Sequence, residues 1–142
     1  MKVGRLLHYV VLLICGAAIG VLGSWYVQQR AAEEAARASL AAANDCLRKS
    51  DYVCAMTYAQ SAISNVPQAY EGYEAAGDVY VGMNIQSAAR RMYELAVERL
   101  RKDGQDAMLV TKGAASVDTL LQLLQRKLDA LPSNSRRDPN KS

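Results

Sequence analysis

Residues 70–101, YEGYEAAGDVYVGMNIQSAARRMYELAVERLR, decide the fold of this chain. The stretch reads as two amphipathic helices joined by a short polar turn at Met83, Asn84 and Ile85. Within it Tyr73, Ala76, Gly77, Tyr80, Ala89, Tyr93 and Ala96 alternate large residues with small ones. The small residues let two backbones approach closely, and the aromatic rings fill the space on either side. That is what an antiparallel helix pair needs to interlock at a short interaxial distance.

The same pattern recurs one step earlier at an interval of 34 residues. Counting back from Ala76, Gly77, Ala89, Tyr93 and Ala96 reaches Ala42, Ala43, Ala55, Ala59 and Ala62. Tyr73 and Tyr80 map onto Ser39 and Cys46, which break the aromatic pattern, although Tyr52 and Tyr58 lie nearby. Over residues 36–101, about half the chain, this set resembles the tetratricopeptide repeat. The family's closing Pro is present as Pro67 in the first copy and replaced by Arg101 in the second. The resemblance implies two helical hairpins, 36–69 and 70–103. The competing reading is a plain helical bundle with Ala-rich seams.

The rest of the composition fits a small all-α protein. The 142 residues include no Phe, and no alternating apolar run is long enough for a sheet. A formal net charge of +3, spread over both repeats and the tail, argues against a nucleic-acid partner. His8 is the single histidine, and there is no Cys-x-x-Cys, no phosphate-cradling Gly loop and no nucleophile within reach of a base. No catalytic residue, metal ligand or cofactor is expected, and the chain reads as a non-enzyme.

Taken in order, a short basic start at 1–5 precedes an apolar run at 6–27. Twenty-two helical residues rise about 33 Å, enough for a bilayer core of about 30 Å. Trp25 and Tyr26 at its end suit an interface. The expectation is an uncleaved transmembrane helix, a secretory signal peptide being the rival reading. Gly16, Gly20 and Ser24 share one face of it and offer a helix-packing surface, for self-association or for a larger membrane complex. The amino-terminal charge favours the N-terminus inside and the repeats outside. Residues 28–35, Ala-rich and free of Gly and Pro, read as a helical stem.

Past Asp103 and Gly104, which read as a helix stop, the repeat pattern is lost. The segment 104–131 holds an amphipathic helix opened by Ser116. Its apolar stripe includes Leu120, Leu121, Leu124, Leu128 and Leu131. Such a helix either caps the stack or docks a partner or a second copy. Residues 132–142 carry no apolar side chain after Pro132 and read as a disordered tail. Cys46 and Cys54 flank the first hairpin turn, four residues before and after Ser50. A disulfide there would pin a small domain, and two buried free thiols are the alternative.

The resemblance also implies a function. Tetratricopeptide stacks usually hold peptides along the first helix of each pair. That face is Arg37, Leu40, Asn44, Leu47 and Arg48 in the first repeat, and Glu71, Glu74, Asp78 and Val81 in the second. The expected role is a membrane-anchored adaptor or scaffold for protein partners, with its repeats in the periplasm and its anchor in the inner membrane. Such a protein would serve envelope assembly, secretion or the handling of secreted proteins. The alternatives are an anchored import receptor and a structural subunit of a membrane complex.

Overall fold

The computed structural model of the chain describes residues 3–111 and 113–132, with side chains from residue 23 onward. Among the described residues every regular element is helical. The chain divides into two compact units, Met1–Glu34 and Ala35–Ser142.

Helix α1 spans Val3–Arg48. In the first unit its side chains from Gly23 to Arg30 are exposed, and the Arg30 guanidinium lies 5.0 Å from the centre of the Tyr26 ring. The transmembrane helix expected over 6–27 is not supported. Among the described residues no helix is long and apolar enough to cross a membrane. A span needs about twenty consecutive apolar residues, and only the end of the run, from Gly23 to Val27, has described side chains before the charges at Arg30, Glu33, Glu34 and Arg37. The side chains of 6–22, with those of Gly16 and Gly20, lie outside the described residues. Ser24 is exposed on α1. The tail from 133 also lies outside them.

The second unit comprises the end of α1 with α2 (Tyr52–Asn65), α3 (Tyr70–Gly82), α4 (Gln86–Asp103), a single 3-10 turn (Gly104–Ala107) and α5 (Val117–Ala130). Two of its turns are built alike. After α1, Ser50 takes a positive φ of 57°, its N–H donates to Leu47 O, and the N–H of Asp51 donates to Cys46 O. After α3, Asn84 takes φ 60°, its N–H donates to Val81 O, and the N–H of Ile85 donates to Tyr80 O. Both are left-handed caps that satisfy the last carbonyls of a helix. They stand 34 positions apart. Short polar residues tolerate this conformation better than branched ones do. Asp51 then caps α2 by accepting the N–H of Cys54 at 3.1 Å.

Pro67 does not open α3, as a first-turn proline would. It sits in the link between α2 and α3, where its carbonyl accepts the Tyr73 hydroxyl at 3.0 Å.

The helices interlock through small residues. A Cβ on Gly77 would run into the Tyr93 ring, and one on Gly72 would lie 2.8 Å from Ile63 Cγ1. Close approach is therefore the reason for glycine at both positions. Tyr93, Ala89, Ala96 and Leu100 of α4 join Tyr70 and Tyr73 of α3 in the largest apolar cluster. Leu120, Leu124, Leu128 and Leu131 close that cluster from α5 and its end, with Leu121 packed beside it. Burial of each leucine contributes about 1.5–3 kcal/mol. Ser116 fixes the start of α5 by accepting the N–H of Thr119 at 3.2 Å.

Candidate functional site

The end of α1 and α3, the helices expected to carry the binding face, both meet the segment that follows the 3-10 turn. The segment after the 3-10 turn leaves α4, extends at Met108 (φ −97°, ψ 117°) and crosses onto α1 and α3. Leu109 is 6% exposed and enters an apolar cluster with Ala36, Leu40, Ala69 and Ala75. Three successive backbone N–H groups, from Leu109, Val110 and Thr111, donate to a single oxygen, Glu71 Oε1, at 2.7, 2.8 and 3.3 Å. The Thr111 hydroxyl donates to the same atom at 3.3 Å, and Arg37 Nε donates to Leu109 O at 3.2 Å. The Tyr70 hydroxyl lies 3.1 Å from Thr111 Oγ1, and burial pushes that phenol up to about 12.

Glu71 therefore differs from its expected place as an acid facing a ligand. It is 7% exposed, and its carboxylate anchors the chain's own backbone. A charge can be buried when hydrogen bonds replace its water. The second oxygen, Glu71 Oε2, is buried with no hydrogen-bond partner.

Glu74 and Asp78 follow on the same face but answer to a different group. Lys127 Nζ of α5 lies 2.8 Å from Glu74 Oε1 and 2.7 and 2.9 Å from the two Asp78 oxygens. The Tyr93 hydroxyl donates to Asp78 Oδ1 at 2.6 Å, and the Tyr93 ring lies 5.4 Å from the ammonium. Burial works against the Lys127 charge, but the Glu74 and Asp78 carboxylates outweigh it and hold the ammonium above its ordinary value. Burial first, and the bond to Asp78 second, push the Tyr93 phenol upward.

The remaining groove residues are spread out. Leu40 is buried in the cluster that takes Leu109, and Leu47 is half-buried beside Ala55 and Val79. Asn44 is exposed, Arg48 is exposed and pairs with Asp45 at 3.1 Å, and Val81 is 41% exposed at the end of α3. Cys46 and Cys54 are joined as a disulfide, with their Cα atoms 5.8 Å apart.

A concavity of about 610 Å³ opens between α4 and α5, lined by Arg90, Glu94, Val97, Arg101, Lys102 and Leu128 among others. Among the described residues no group of three His, Cys, Asp or Glu could hold a metal ion.

Two of these features escaped the sequence. Donors to Glu71 are backbone amides, which leave no mark on residue type. Lys127 did leave a trace, because it stands three residues after Leu124 and four before Leu131, within the apolar stripe. A lone cation there asks for a buried acid opposite it.

Comparison with known proteins yields no matching family model, no matching curated protein and no matching solved structure.

Proposed function

We propose that this chain is a small non-enzymatic adaptor, built from two tetratricopeptide-like hairpins, that holds a short segment of a protein partner along α1 and α3. The recurrence of one cap geometry at Ser50 and Asn84, 34 positions apart, supports the repeat reading. The observation that carries the binding role is the Arg37–Glu71 seat. It grips main chain through a carbonyl on one side and three amides on the other, with an Ala-lined recess for one aliphatic side chain. A surface that recognises main chain can hold a strand from another protein by the same bonds. The Cys46–Cys54 disulfide supports an oxidising compartment outside the cytoplasm.

Selection of a random-peptide library on the full chain tests this reading. Selected peptides are expected to lose at least about tenfold in affinity on Arg37→Glu, equivalent to about 1.4 kcal/mol. The melting temperature should hold. Failure to select any peptide, or binders indifferent to Arg37, would contradict it. Binders lost on Leu123→Asp instead would move the docking surface to α5, where Leu123 is 42% exposed.

A further inference from the structure

We infer that residues 109–111 are a built-in competitor, an intramolecular bent segment that occupies the Arg37–Glu71 seat and must leave before a partner segment enters. This rests on the adaptor reading and adds its regulation and the chemistry of its ligand.

The segment belongs to neither hairpin. It is the connection from α4 to α5, yet it reaches across to α1 and leaves Leu109 in the recess formed by Ala36, Leu40, Ala69 and Ala75. It is held by the buried Leu109 side chain and by main chain, with three N–H groups on Glu71 Oε1 and one carbonyl on Arg37 Nε. The main-chain bonds do not depend on residue type, so a segment from elsewhere with the same bend reproduces them. Val110, between the two anchored residues, is 57% exposed and fills nothing.

Glycines at positive φ flank the segment, Gly104 at 56° and Gly113 at 81°, and no atom lies near either where a Cβ would stand. Conformation, not crowding, calls for glycine there.

The fit is incomplete. Glu71 is more than nine-tenths buried, yet its Oε2 has no hydrogen-bond partner. An incoming strand that supplies one more donor satisfies an acceptor the internal segment leaves idle. The ligand class follows: a bent segment with a leucine-like side chain, then two residues that are not proline, and a hydroxyl or basic side chain close behind.

Competition of this kind lowers apparent affinity by the fraction of molecules whose groove is open. The test uses the full chain and a fluorescein-labelled peptide with the sequence of residues 106–112, followed by anisotropy. Two variants loosen the internal strand. Leu109→Asp cannot enter the apolar recess, and Val110→Pro removes one N–H from Glu71 while altering a side chain that is already exposed. Both are expected to bind the peptide at least about tenfold more tightly than the wild type, as for a groove open in a tenth of molecules or fewer. Addition of Arg37→Glu should abolish the gain.

Circular dichroism reports whether each variant folds, and Val110→Pro decides if Leu109→Asp does not. Equal affinity for wild type and variants, or binding to none of them, would overturn the inference. Unfolding of both variants would overturn it too, since the strand would then be core and not occupant. Library-selected peptides that need Arg37 but ignore both strand substitutions would leave the adaptor reading standing and remove the competitor.

Discussion

The two hairpins share one turn and are held by different forces. Thirty-four positions separate Ala43 from Gly77, Ala59 from Tyr93 and Cys46 from Tyr80. In the first hairpin small residues meet small ones, since Ala43, Ala55 and Ala59 are all fully buried, and a disulfide joins the strands of the turn. In the second, Gly77 makes room for the Tyr93 ring, and Tyr73 and Leu100 complete the cluster. Alanine faces bring helices close but bury little apolar area, so little hydrophobic free energy holds them. A covalent tie offsets that by restricting the unfolded chain. The same backbone geometry is thus reached by constraint in one place and by packing in the other.

The contrast is sharpest at the matched pair Tyr93 and Ala59. Tyr93→Ala empties a buried ring site and removes the bond to Asp78, and should cost about 3–5 kcal/mol in urea unfolding. Ala59→Gly removes one methyl and frees backbone, and should cost about 1 kcal/mol. Equal losses would mean that the second hairpin is not held by its aromatic packing.

A smaller effect belongs to the first hairpin. Reduction of Cys46–Cys54 opens a loop of sequence separation 8, for which chain entropy assigns about 2–3 kcal/mol. The unfolding midpoint should fall on reduction, and mass spectrometry of alkylated, unreduced protein should find both sulfurs unmodified. Two alkylated thiols would break the comparison at its base.

The all-helical character was legible, because no alternating apolar run is long enough for a sheet and small residues such as Ala42, Ala43, Ala76 and Gly77 stand at the spacing that close helix contact demands. The turn at Met83, Asn84 and Ile85 was legible for a similar reason, Asn being at home at positive φ. The groove was not. Glu71, Glu74 and Asp78 stand at spacings of three and four, which reads as one acidic face. In the fold Glu71 turns to backbone amides and the other two turn to Lys127. Helical spacing reports which residues share a side of a helix, not what comes to meet them from 38 or 49 positions away. The expected span over 6–27 rested on its apolar length and on Trp25 and Tyr26 at its end. Among the described residues no helix meets the requirement for crossing a membrane.

Amide hydrogen exchange at Leu109, Val110 and Thr111, measured in the full chain with and without a library-selected peptide, tests the self-occupied groove most directly. All three amides donate to Glu71 Oε1 in the free protein. They should exchange at least about a hundredfold more slowly than an open loop, a protection of about 2.8 kcal/mol at the conversion of 1.4 kcal/mol per tenfold. They should lose that protection when the peptide is bound. Fast exchange in the free chain, or protection unchanged at saturating peptide, would contradict a groove held by its own strand.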